Sequence, residues 1–119
     1  MGRWKCRLLR KINTMPHLDE IKKKELSDGI IGQYVHGNNL TTGWVTIKKG
    51  STLGLHHHPH EQMTIMLEGK MEMNIGDTSV LLEKGMIQVI PSNVPHSAIA
   101  HEDCILIDVF NPVREDYRS

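Results

Sequence analysis

The residues whose spacing first suggests chemistry lie in positions 50–69, which read GSTLGLHHHPHEQMTIMLEG. Successive side chains of an extended strand point to opposite faces, so His56 and His58 share a face and His57 takes the other. Gln62 follows four residues after His58 and joins that pair if the chain turns back near Pro59. His96 arrives much later, in a second stretch punctuated by Pro and Gly. Three neutral imidazole nitrogens and one amide oxygen form a donor set for a divalent transition metal, and nickel, zinc, manganese and iron all accept such donors. The alternative for 56–60 is a loop whose imidazoles are only solvated.

The flanking residues add a pattern. Gly50 stands six positions before His56, Gly69 seven after Gln62, and Gly85, Pro91, Asn93 and His96 follow in that order. This arrangement resembles the paired motifs of the cupin family, G(X)5HXH(X)3,4E(X)6G and G(X)5PXG(X)2H(X)3N. The resemblance implies an all-β double-stranded β-helix, or jelly roll, with His56, His58, Gln62 and His96 meeting around one metal ion in its mouth. Three positions depart from the family pattern: Gln62 replaces Glu, Asn93 replaces Gly, and Ala100 replaces the closing Asn. Asn tolerates the left-handed backbone that Gly would supply. Gln62 matters more, because a neutral donor set leaves a bound dication its whole charge and favours an anionic substrate. It also weighs against an iron oxygenase of the two-His, one-carboxylate type.

The stretch 104–117, CILIDVFNPVREDY, carries a second group of candidates. Alternation sends Asp108 and Phe110 to one face, opposite Ile107 and Val109. Arg114 lies just beyond Pro112, where it can fold over a barrel mouth and bind a carboxylate bidentately. A structural reading stands beside this one, with Asp108 paired to Arg114 and Phe110 as ordinary core. Taken together, HxHPHEQ, a single His after a Pro, and DVFxPxRxDY resemble the small single-domain cupins of pectin degradation, which linearise unsaturated uronates. The similarity runs over 30–117. It implies metal ligands at His56, His58, Gln62 and His96, active-site roles for Asp108, Phe110 and Arg114, a small anionic substrate, and a homodimer paired through sheet edges. Two other readings stay open: an iron-dependent cupin dioxygenase or other oxidoreductase, and a non-enzymatic sugar- or metal-binding module.

The elements that must position these residues are strands. From Gly29 onward, short extended runs alternate with turn residues every eight to ten positions, as in a sandwich or barrel. The pattern predicts strands at 30–36, 41–48, 52–58, 62–67, 70–75, 78–83, 87–90, 96–101 and 104–110. Along 70–75, Met71, Met73 and Ile75 alternate with Lys70, Glu72 and Asn74, which puts one face inside. The methionines read as core filler, since thioethers suit softer metals than an imidazole-amide set selects. Positions 16–27 read as a short helix or an irregular lead-in, with the triple lysine of 22–24 as a solvated face. His60 reads as an exposed mouth residue, Glu61 as a weaker competitor of Gln62, and His36 and His101 as surface residues at strand ends.

With 119 residues the chain has room for one domain, divided as a basic arm and lead-in over 1–28 and a cupin domain over 29–119. The formal net charge is zero, but 1–14 holds five of the fourteen basic residues and no acid. The body is therefore acidic, which argues against nucleic-acid binding. The arm reads as a contact for an acidic partner, a targeting segment, or a leader without structural consequence, with Met15 as an alternative start. Its Leu8-Leu9 run is too short for a secretory or membrane segment, and no later run is apolar enough to cross a bilayer. Cys6 and Cys104 fit no disulfide framework or metal spacing, so a reducing, cytoplasmic setting is expected, with Cys104 packed as a small hydrophobe.

Overall fold

A computed structural model of the chain describes residues 16–118, so the basic arm and Cys6 lie outside the described residues. The strands are β1 (Lys24–Ser27), β2 (Ile30–His36), β3 (Thr41–Ile47), β4 (Thr52–His56), β5 (Glu61–Glu68), β6 (Lys70–Ile75), β7 (Thr78–Glu83), β8 (Ile87–Ile90), β9 (His96–Ala100) and β10 (Cys104–Asn111). Short 3-10 turns at Leu18–Glu20 and Glu115–Tyr117 flank them. Six strands pair in the order β1-β2-β3-β10-β5-β8 and four in the order β4-β9-β6-β7, all antiparallel. This is the all-β jelly roll that the sequence implies, in one domain.

Alternation fixes which residues fill the space between the sheets. Ile30, Val45, Ile47, Met66, Ile90 and Leu106 face inward from the larger sheet, and Met71, Met73, Leu82 and Ala100 from the smaller. Cys104 belongs to the same core as a free, buried thiol. Of the described methionines, 66, 71 and 73 are core, whereas Met63 and Met86 are 43% and 47% exposed. The filler reading thus holds for the inward-facing methionines and not for the other two.

Two differences from the sequence reading exceed a single residue at a strand end. The lead-in includes strand β1, which pairs with β2 across a bulge between Glu25 and Ser27. Leu26 packs on the core, and the Gln33 side chain donates to the carbonyls of Leu18 (2.9 Å) and Ile21 (3.0 Å), fastening the lead-in to β2. Strand β4 stops at His56, not at position 58, after an irregularity in its pairing with β9. Left-handed backbone occurs where the motifs place it. Gly69 has φ 96°, and a Cβ there would collide with the backbone of Asp103 and Cys104, while Asn93 takes φ 63° in place of Gly.

Removing a buried thioether leaves a cavity that close packing does not refill. Met66→Ala is therefore expected to cost about 2–5 kcal/mol and Met86→Ala less than about 1 kcal/mol, measured by urea unfolding. Equal costs would place the core elsewhere.

Candidate metal centre

The site is assembled where one sheet's edge meets the loop before β5. His56 ends β4 and His96 begins β9, and the two are register partners. His58 lies beyond β4, in a loop held by the Asn93 N–H, which donates to the His58 carbonyl at 2.8 Å. The metal-ligating atoms of His56, His58 and His96 all lie within 4.8 Å of one another. The histidines converge because the loop is pinned to the segment preceding His96, not because one strand carries both His56 and His58.

Their hydrogen bonds set the tautomers. Nδ1 of His56, His58 and His96 lies 2.7, 2.9 and 2.9 Å from the carbonyl oxygens of Gly54, His60 and Val94 respectively. A carbonyl only accepts, so each Nδ1 carries the proton and each Nε2 a lone pair. Nε2 of His96 is buried without a hydrogen-bond partner among the described residues. Burial, with the Arg114 guanidinium as a further cause, also pushes His58 and His96 below the usual imidazole range and so favours their neutral forms.

Gln62 supplies the amide. It sits on the inner face of β5, 7% exposed, and its Nε2 donates to Thr64 Oγ1 and to Asp108 Oδ1, both at 3.0 Å. This fixes the amide so that Oε1 faces His58 Nε2 at 3.0 Å. Two lone-pair atoms facing each other, beside an unpartnered buried nitrogen, suit a shared cation, and the set of three imidazoles and an amide fits a divalent transition metal. The backbone-anchored Nδ1 atoms are the outer contacts that orient metal-binding histidines.

Asp108 and Phe110 face the same cavity from β10, as alternation requires. The cavity measures about 340 Å³ and is also lined by the three histidines, Gln62 and Arg114. Thr64 donates to Asp108 Oδ1 at 2.7 Å. Burial raises the Asp108 carboxyl to about 6, with the Thr64 and Gln62 hydrogen bonds and Arg114 opposing the rise. The Phe110 ring, the chain's single phenylalanine, stands edge-on to His58 at 5.7 Å.

Arg114 does not pair with Asp108. Its Nε and Nη2 donate to the Asp116 carboxylate at 3.0 and 2.7 Å, and its guanidinium lies 4.7 Å from the Phe110 ring and 3.9 Å from that of Tyr117. Its backbone N–H donates to Thr41 Oγ1, which seats this 7% exposed arginine at the pocket wall. Thr64 and Tyr34 line the pocket without having been singled out in the sequence, and Asp116 and Tyr117, which close the motif DVFxPxRxDY, line it without having been given a role. For Thr64 a signal existed, since it lies two residues after Gln62 on the same strand face. Glu61 and His57 are exposed and do not line the cavity. His60 is half-buried, not exposed, with its ring 5.5 Å from His58 and 6.3 Å from Phe110. His36 is half-buried against Thr41 Oγ1, and His101 is exposed beside Glu72.

A jelly roll that gathers three imidazoles, an amide and a carboxylate at one mouth defines a small β-barrel protein with a candidate metal centre. The Cupin domain family matches residues 43–110, and the chain belongs to the cupins. It is 29% identical over 102 residues to the pectin degradation protein KdgF of Dickeya dadantii, covering 83% of this chain and 93% of that protein. Two solved structures superpose with TM-score 0.82 at 26% identity. They are KdgF from Halomonas sp., covering 88% of this chain and 98% of that one, and an RmlC-like cupin from Shewanella frigidimarina, covering 87% and 95%. A 52-residue segment is 44% identical to the probable transcriptional regulator LumQ of Photobacterium leiognathi, but spans only 20% of that protein's length.

A metal bound here stabilises the fold by mass action, by about 2.7 kcal/mol at a hundredfold excess over Kd. Thermal unfolding of metal-stripped protein with added nickel, zinc, manganese or iron(II) is expected to show an upward shift with at least one ion. His96→Ala should lose the shift. A shift of the same size in the variant would exclude His96 as a ligand.

Proposed function

We propose that this cupin is a metal-dependent enzyme that opens the ring of 4,5-unsaturated uronates to 5-keto-4-deoxyuronate, with His56, His58, Gln62 and His96 holding the metal. The observation that carries the proposal is the direct hydrogen bond from the Gln62 amide to Asp108, which sets a proton-transfer group beside the histidine cluster. The similarity to the pectin degradation protein over most of both chains supports the substrate class. When bound, the divalent ion supplies Lewis-acid stabilisation of negative charge developing on substrate oxygen.

The protein's own groups supply the rest. Asp108 accepts the proton of the anomeric hydroxyl as the bond between the anomeric carbon and the ring oxygen breaks. The anomeric carbon becomes an aldehyde, and the former ring oxygen stays on C5 as an enolate. Delivery of a proton from Asp108 to C4 converts the enolate to the C5 ketone, so no atom is gained or lost and no redox step is required. Burial brings the Asp108 carboxyl up toward neutral pH, to about 6, which suits a group that takes and returns a proton. Arg114, oriented by Asp116, anchors the substrate carboxylate or another sugar oxygen, and Phe110 shapes the pocket.

A second reading, a ligand-sensing module without turnover, draws on the segment shared with the probable transcriptional regulator. One assay separates the two. Metal-loaded protein is mixed with unsaturated galacturonate and the conjugated double bond followed by ultraviolet absorbance. Wild type is expected to consume it, and Asp108→Asn to lower kcat by about 10²–10⁴-fold with metal content unchanged. Binding without turnover would favour the module, and dioxygen consumption an iron oxidoreductase.

We also infer a cytoplasmic homodimer, paired through a sheet face and not through the sheet edges that the resemblance implies. The free, buried Cys104 suits a reducing compartment, and no described helix is long and apolar enough to cross a membrane. The outer face of the larger sheet carries the register rows Val89-Met63-Val109-Thr42 and Ile87-Ile65-Ile107-Trp44, which contain no charged side chain, with Ile87 62% exposed. An uncharged face of this kind is matched by a second copy of itself. Sedimentation equilibrium is expected to give a dimer for wild type and a monomer for Ile87→Lys/Met63→Lys. A wild-type monomer would sink the assignment.

A further inference from the structure

A basic groove beside the pocket takes no part in the proposed reaction. It encloses about 430 Å³, is lined by Lys22, Lys23, Lys24, His36 and Arg118, and has no carboxylate in its lining among the described residues. Arg118 is paired with Glu115 at 3.0 Å, while the lysines form no ion pair among the described residues. Lys22 and Lys23 are exposed, but Lys24 is half-buried on β1 and lines both the groove and the catalytic pocket.

Tyr34 and Tyr117 form the wall shared by the two cavities. Their rings lie 4.6 Å apart, and the Lys24 ammonium sits 5.9 Å from the Tyr117 ring centre. The wall is fixed from below, because the Tyr34 ring rests on Gly32 and Gly43, where an added Cβ at either would overlap it. Asp108, Gly43 and Tyr34 are successive register partners across β10, β3 and β2. Tyr34 therefore stands two strand spacings from Asp108, about 9–10 Å. Because Tyr34, Tyr117 and Lys24 line both cavities, a substituent on an anomeric carbon placed at Asp108 would run past the two tyrosines toward the lysines.

We propose that the groove binds the second carboxylate of a uronate disaccharide whose first ring fills the pocket. The proposal rests on the uronate reading of that pocket. Such a disaccharide is not opened, because its anomeric oxygen is locked in a glycosidic bond and has no proton to give Asp108. It occupies the site as a competitive inhibitor.

The test is calorimetric titration of metal-loaded wild type and Lys22→Ala/Lys23→Ala with galacturonate and saturated digalacturonate, beside the turnover assay. Wild type is expected to bind digalacturonate about tenfold more tightly than galacturonate. The variant, and wild type in about 0.5 M salt, should lose most of that advantage while the variant keeps its galacturonate affinity and kcat. Equal affinities in wild type, or an advantage that survives in the variant, would overturn the groove assignment even if turnover is seen. A lysine-dependent advantage without turnover would uphold the groove and overturn the enzyme reading. Neither binding nor turnover would overturn both.

Discussion

The centre of the site depends on a shortage of protons at His58. One neutral imidazole has one N–H, yet His58 faces two acceptors, the His60 carbonyl at 2.9 Å and the Gln62 amide oxygen at 3.0 Å. Turning the amide over would bring its nitrogen to His58, but would aim the amide oxygen at Asp108, which needs donors. Protonating His58 would satisfy both acceptors, but burial and the nearby Arg114 oppose that charge. A divalent cation meets the need without a proton. It would take the lone pairs of Gln62 and of the Nε2 atoms, including the unpartnered one of His96, while every Nδ1–H kept its carbonyl.

Strand register carries this constraint outward. Gln62 and Phe110 are partners across β5 and β10, and so are Thr64 and Asp108 one step further along the inner face. The amide, the hydroxyl and the carboxylate are thus neighbours because a two-residue period on two paired strands makes them so. Slipping β10 by one residue would turn Asp108 and Phe110 outward and bring Ile107 and Val109 in. The buried Leu106 and Met66, partners in the same register, hold that alignment through apolar burial. Core packing and site geometry are fixed by the same pairing.

The extents of β2, β3, β5, β6 and β10 were legible to within a residue from the turn residues that bound them, but alternation of polar and apolar residues marked the buried face only along β6, since β5 and β10 turn Met63, Ile65, Ile107 and Val109 outward. Strand β1 was not legible, because a triple lysine reads as a solvated face and its one inward apolar residue, Leu26, is too little pattern to count. The convergence of His56 and His58 was anticipated for an incomplete reason: alternation placed them together, whereas a loop bonded to Asn93 does so in the structure. Asp108 could be placed by its parity, but not its partners, since contact with Gln62 requires the register of strands 46 residues apart. The Asp116 clamp on Arg114 depends on the short 3-10 turn after Pro112, for which no periodic signal exists.

Charge placement explains how the pocket can favour an anion while keeping a carboxylate of its own. Asp116 takes two of the Arg114 donors, so the guanidinium acts more as an oriented edge between two aromatic rings than as a free cation. Burial raises the Asp108 carboxyl to about 6, which makes its charge less favourable than that of an ordinary carboxylate. A set of uncharged donors then leaves a bound dication as the dominant charge, undiminished by its ligands. Glu in place of Gln62 would cancel part of that charge and set a second carboxylate against Asp108. The neutral amide at this position would therefore let a metal, the Asp108 carboxyl and the anionic substrate proposed above share one small cavity.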